Sequence, residues 1–118
     1  MSIERLHQGP RMSQVVIHNK TVYLAGQVAE NPAGKGVAEQ TRDILATIDT
    51  LLAEASTDKS RILSATIWLT EMAAFGEMNG EWDRWVAAGN SPARATVQST
   101  RLAGPEYKIE IAVIAAQA

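Results

Sequence analysis

The sequence predicts an α+β fold, one six-stranded mixed sheet with two helices packed on one face. Three observations carry this expectation. Segments of strand character and segments of helical periodicity follow one another as β, β, β, α, β, α, β, β. Two stretches, residues 44–55 and 75–86, repeat apolar residues at helical spacing. The last strand sets Tyr107, Ile109, Ile111 and Val113 against Ala112, Ile114 and Ala116, so both faces of its second half are apolar.

Each element has its own signal. Residues 3–7 form a short strand, and Gly9-Pro10 marks a turn. Residues 14–18 and 21–25 are β-branched runs separated by Asn19-Lys20, a hairpin signal because Asn tolerates positive φ. Gly26 closes the second run, at a position that suits a bulge or a close approach of backbone to a ligand. Asn31, Pro32, Gly34 and Gly36 make residues 29–36 a loop. Ile44, Ile48, Leu51, Leu52 and Ala55 form the first helical stripe, with Glu39, Arg42, Asp43, Asp49 and Glu54 mostly off it. Residues 56–59 end that helix.

Residues 62–69 alternate as a strand, Leu63, Ala65, Ile67 and Leu69 on one face and Ile62, Ser64, Thr66 and Trp68 on the other. Thr70 is the candidate cap of the second helix. Phe75, Met78, Trp82, Trp85 and Val86 are its core stripe, and Gly89-Asn90 stops it. Residues 93–99 and 106–116 are the last two strands, joined by a loop containing Gly104-Pro105. Lys59 and Arg61 read as a solvated edge, and His7 and His18 as bystanders.

Composition narrows the function. A chain of 118 residues is one domain, 1–118, of common size. The absence of cysteine excludes disulfides and thiolate catalysis, and the two histidines lack metal-ligand spacing, so no metal site is expected. A net charge of −2 implies no strong attraction to nucleic acid or to an anionic membrane. No apolar run approaches the roughly 20 residues that span a bilayer. The N-terminus lacks the apolar stretch of a signal peptide, and the expected location is cytoplasmic.

Two helices cover only one face of a six-stranded sheet. The second face wants a cover, and self-association is the simplest supply. Glu110 shares the parity of Ala112 and Ile114, so it points away from the helix layer toward that junction. Arg94, in Pro92-Ala93-Arg94-Ala95-Thr96-Val97, is the other conspicuous charge, and Thr96 and Gln98 share its parity. A buried cation or carboxylate needs a counter-charge, a polar ligand or an open pocket. The two residues are therefore either a structural ion pair, two solvated strand positions, or a small anion site. In that site Arg94 grips a carboxylate with paired donors and Glu110 is a potential general base.

These blocks, with Tyr23-Leu24-Ala25-Gly26-Gln27-Val28, Asn79 ahead of the aromatic Trp82, and Lys108-Ile109-Glu110-Ile111, resemble the Rid family, also called YjgF, over nearly the whole chain. The resemblance implies a chorismate-mutase-like fold and a homotrimer whose sheets form a central barrel, with sites between subunits. It implies cofactor-free hydrolysis of 2-imino or 2-enamino acids to 2-keto acids and ammonia. By position, Arg94 would bind the substrate carboxylate and Glu110 would orient or activate water. Backbone at Gly26 and Thr96 would contact substrate or water, with Asn79 nearby.

Two residues depart from the pattern. Arg11 follows Gly9-Pro10 where the family commonly has a tyrosine, and faces either the pocket or the assembly surface. Thr96 replaces a cysteine, which preserves a backbone contact but not a thiol role. The alternative function is a non-catalytic module binding a small carboxylate or 2-keto acid on the same scaffold. RNA cleavage, associated with some members of the family, is disfavoured by the acidic composition.

Overall fold

A computed structural model describes residues 2–118. Strand β1 (Glu4–Gln8) pairs antiparallel with β2 (Ser13–His18), and β2 with β3 (Thr21–Leu24). The β2–β3 hairpin turns on Asn19 and Lys20, both left-handed at φ 52° and 63°. Such a turn matches the twist of the strands it joins. Helix α1 (Val37–Glu54) follows, then β4 (Ile62–Leu69), α2 (Phe75–Trp85), β5 (Ala93–Gln98) and β6 (Ile109–Ala116).

The six strands form one sheet in the order β1-β2-β3-β6-β4-β5. Only β4 and β5, linked through α2, run parallel, so the sheet is mixed as expected. The last strand to be made enters the middle, between β3 and β4. That central position explains why its sequence is apolar on both faces.

The core lies between the helices and one face of the sheet. α1 buries Val37, Ile44, Leu45, Ile48, Leu51 and Leu52. They pack with Val15, Ile17, Val22 and Leu24 of the hairpin, Ala65, Ile67 and Leu69 of β4, and Ile109, Ile111 and Val113 of β6. Each fully buried Ile or Leu contributes about 2 kcal/mol. α2 adds Met78 and Trp82. The opposite face carries Val16, Tyr23, Thr66, Trp68, Ala112 and Ile114, and neither helix lies on it.

Five local expectations change. A bulge between Ile62 and Ser64 turns Ile62 into the core and Leu63 outward, 53% exposed. One extra residue reverses the parity of everything before it. α2 starts at Phe75 after a 3-10 turn at Met72–Ala74, without a side-chain cap from Thr70. It ends at Trp85, before Gly89, where Lys59 Nζ donates to the Trp85 carbonyl. Lys59 and Arg61 are thus tie-points: Arg61 likewise holds the Gln117 carbonyl. β6 begins at Ile109, because the backbone ahead of it is claimed by Gln40. That fully buried amide donates to the Glu106 and Lys35 carbonyls at 2.9 and 3.0 Å, and accepts from Lys108 N at 2.9 Å.

Candidate functional site

The register of β5 decides where Arg94 points. Arg94, Thr96 and Gln98 pair in parallel with Ala65, Ile67 and Leu69 of β4. Paired residues share a face, and those β4 residues are core. Arg94 therefore turns to the helix side. Its guanidinium carbon lies 5.2 Å from the centre of the Trp82 ring and 5.8 Å from that of Phe75. Both distances are within cation–π range. Arg94 is half-buried and forms no ion pair among the described residues. The ring faces attract the cation without neutralising it, and its planar donor fork is not committed to a carboxylate among the described residues.

Two further residues belong to this group. Asn79 stands four residues after Phe75 and three before Trp82, which places it on the same face of α2. The Thr96 hydroxyl oxygen is buried without a hydrogen-bond partner. Most buried hydroxyls have one, so this oxygen marks a place where the single chain is polar and unsatisfied.

Glu110 forms a second group. It pairs with Trp68 on the sheet face away from the helices, as its parity predicts. A Cβ built on Gly26 would lie 2.0 Å from Glu110 Oε2 and 2.9 Å from Cδ. Gly26 is glycine because the carboxylate occupies the space of a side chain. The sequence suggests a bulge or a ligand beside this backbone; what lies against it in the single chain is the Glu110 side chain. The segment is fixed to β6 by Gln27, whose N–H donates to the Ile111 carbonyl and whose carbonyl accepts from Ile111 N. The buried Gln27 amide also donates to Gln14 Oε1 at 2.8 Å. Arg11 is exposed in the β1–β2 turn, at the same end of the sheet as Gly26, and forms no ion pair among the described residues.

Arg94 and Glu110 do not meet within one copy. β4 separates their strands, which puts the two backbones about 10 Å apart. Their side chains also point to opposite faces. Where the sequence suggests one site, the chain carries two separate groups: Arg94 with Phe75, Asn79, Trp82 and Thr96, and Glu110 with Gly26. A cleft of about 400 Å³ beside Gly26 is lined by His7, Gln14, Gln27 and Tyr107 among others. A cleft of about 570 Å³ at the β5–β6 loop, lined by Thr70, Arg101 and Lys108 among others, holds neither Arg94 nor Glu110. No cluster among the described residues has the composition of a metal site, and no helix there is long and apolar enough to cross a membrane.

Sequence reasoning missed the contact of Phe75 and Trp82 with Arg94. The signal was present in the spacing of residues 75, 79 and 82, but an aromatic helical stripe reads first as core. Trp82 is indeed core, 5% exposed, and is at the same time the ring beneath the guanidinium.

The chain and its fold have known counterparts. Residues 3–117 match the family described as endoribonuclease L-PSP. The crystal structure of NMB1025 from Neisseria meningitidis, a member of the YjgF protein family, superposes with a TM-score of 0.95 at 47% identity. It covers 100% of this chain and 97% of its own. The RutC family protein YoaB of Escherichia coli (strain K12) is 47% identical over 116 residues, 98% of this chain and 99% of that protein. The chain belongs to the Rid/YjgF family. The six-stranded mixed sheet with two helices is the fold of the YjgF-family structures. A further relative, the 2-iminobutanoate/2-iminopropanoate deaminase of Rattus norvegicus, is 32% identical over 110 residues, 89% of this chain and 79% of that protein.

Proposed function

We propose that the protein hydrolyses 2-imino and 2-enamino acids to 2-keto acids and ammonia, without a cofactor, in clefts between copies of the chain. The observation that carries this is the separation of the two groups. A second copy, laid against the uncovered sheet face, is the means by which an uncommitted guanidinium can reach a carboxylate on the opposite face. A homotrimer, the assembly implied by the family resemblance, supplies three such junctions. The activity named for the rat relative supports the reaction class. A cytoplasmic setting suits it, since short-lived imines must be met where they are released.

The chemistry asks little of the protein. Arg94 holds the substrate carboxylate through two parallel N–H donors and fixes C2 in the cleft. Glu110 of the adjoining copy accepts a proton from water as the water oxygen bonds to C2. Glu110 passes that proton to the imine nitrogen, giving the carbinolamine. It then relays the carbinolamine hydroxyl proton to the amino group as the C2 carbonyl forms and the carbon–nitrogen bond breaks, and ammonia leaves with the 2-keto acid. An enamine enters the same route once it has tautomerised to the imine by protonation at C3. Backbone at Gly26 and Thr96, and the amide of Asn79, orient substrate or water.

The test generates a 2-imino acid in situ with an amino-acid oxidase and follows ammonia release. The protein is expected to accelerate release, and Arg94→Ala to lose most of that acceleration. No acceleration over buffer across small and bulky substrates rejects the reaction. An unchanged rate in Arg94→Ala rejects the site.

A further inference from the structure

We propose that Phe75 selects the ligand, so that the site favours 2-imino and 2-keto acids whose side chain is bulky and apolar. This rests on the reading that Arg94 binds the ligand carboxylate. The two rings beside Arg94 are not equivalent. Trp82 is 5% exposed and forms a floor that a ligand does not reach. Phe75 is 40% exposed and stands as a lip at 5.8 Å from the same guanidinium.

A carboxylate held in the plane of the guanidinium puts its carbon about 4 Å from the guanidinium carbon. The substituent on C2 then extends into the range of the Phe75 ring. Met72, also exposed, continues the apolar strip, and its backbone N donates to Gln98 Oε1 at 2.8 Å. Gln98 shares the face of Arg94, so Met72 and Phe75 run alongside the strand that carries the cation. The exposed Tyr23 and Val97 lie on the opposite, uncovered face. An uncommitted cation beside an exposed apolar strip is the recognition pattern for an anion with an apolar body.

Isothermal titration calorimetry with pyruvate and with 4-methyl-2-oxopentanoate tests this on the intact protein. The wild type is expected to bind the branched acid about tenfold more tightly than pyruvate. Phe75→Ala is expected to abolish that preference, mainly by weakening the branched acid, and Phe75→Leu to retain most of it. Equal wild-type affinities, no binding of either acid, or an equal loss for both acids in Phe75→Ala overturns the proposal. So does a Phe75→Ala protein whose assembly falls apart on a sizing column, which makes Phe75 an interface residue. The outcomes separate this inference from the reaction. Selective binding without imine hydrolysis removes the deaminase reading and leaves the selectivity standing, whereas hydrolysis indifferent to side chain does the reverse.

Discussion

Gly26→Ala isolates the role of Glu110 without removing it. The new methyl carbon would stand 2.0 Å from Glu110 Oε2 and 3.2 Å from its Cγ, where ordinary contact begins near 3.4 Å. The carboxylate oxygen must retreat by more than about 1 Å. What yields is the tip of a flexible side chain, at a rotamer cost of about 1 kcal/mol. Gly26 is not among the positive-φ glycines, so alanine fits the backbone and recovers about 0.5 kcal/mol through the unfolded chain. The melting temperature should therefore move by only a few degrees. Activity should fall far more, because a displacement of that size at a reacting group costs about a hundredfold. The assay is ammonia release from an oxidase-generated imino acid, with Gly26→Ala made both in the wild type and in Glu110→Ala. If the methyl acts through the carboxylate, it changes nothing once the carboxylate is gone, a coupling of about 2.7 kcal/mol. The same fall in both backgrounds refutes the reasoning, since Gly26 then acts through its own contact with substrate. An undiminished rate in the single variant refutes it as well.

Other outcomes follow from the packing. Gln40→Leu removes a fully buried amide and takes their partner from Lys108 N and the Glu106 and Lys35 carbonyls. It should cost about 3 kcal/mol, seen as a fall of about 10 °C in a thermal melt. Burial pushes the Glu81 carboxyl pKa up, but hydrogen bonds from Arg42 and Arg84 prevail and hold it below its ordinary value of 4.5. A depressed carboxylate stabilises the fold above its unfolded pKa and ceases to do so as pH falls through the folded one. The melting-temperature gap between wild type and Glu81→Gln should thus be open at pH 7 and close as pH drops below 4.5. Ala112→Arg sets a charge in the middle of the uncovered sheet face. It should yield monomers on light scattering and lose imine hydrolysis together with the assembly.

How far the sequence could be read depended on whether a feature was local. The Asn19-Lys20 turn, the stripe of α1 and the alternation of β6 are set by residues that are neighbours in the chain, and each was legible. The bulge at Ile62 was not, because one added residue reverses parity without changing composition. Gln40 was invisible for another reason. Its partners at Glu106 and Lys108 lie 66 and 68 residues away, and a glutamine on a helix reads as solvated. The parity of Glu110 could be read within β6, and that of Arg94 within β5, but the phase of one strand against the other is set only by their pairing with β4.

That phase holds the main lesson of the site. In β5 the apolar residues Ala93, Ala95 and Val97 lie on the uncovered face, while Arg94, Thr96 and Gln98 face the helix side. Binary patterning alone would turn the strand over. A strand inverted in this way leaves polar groups where a core should be. The structure shows how they are accommodated: Arg94 against two rings, Gln98 bonded to Met72 N, and the Thr96 hydroxyl without a partner. The same inversion puts alanine and valine on the face that no helix covers, where they extend the apolar surface of Ala112 and Ile114. Polar capacity beside α2 and apolar surface behind it are thus two consequences of one choice of register. Local rules fail most often where function requires it. Under the proposed function, the same failure would supply both the groove for the substrate carboxylate and the surface against which a second copy would have to lie to complete it.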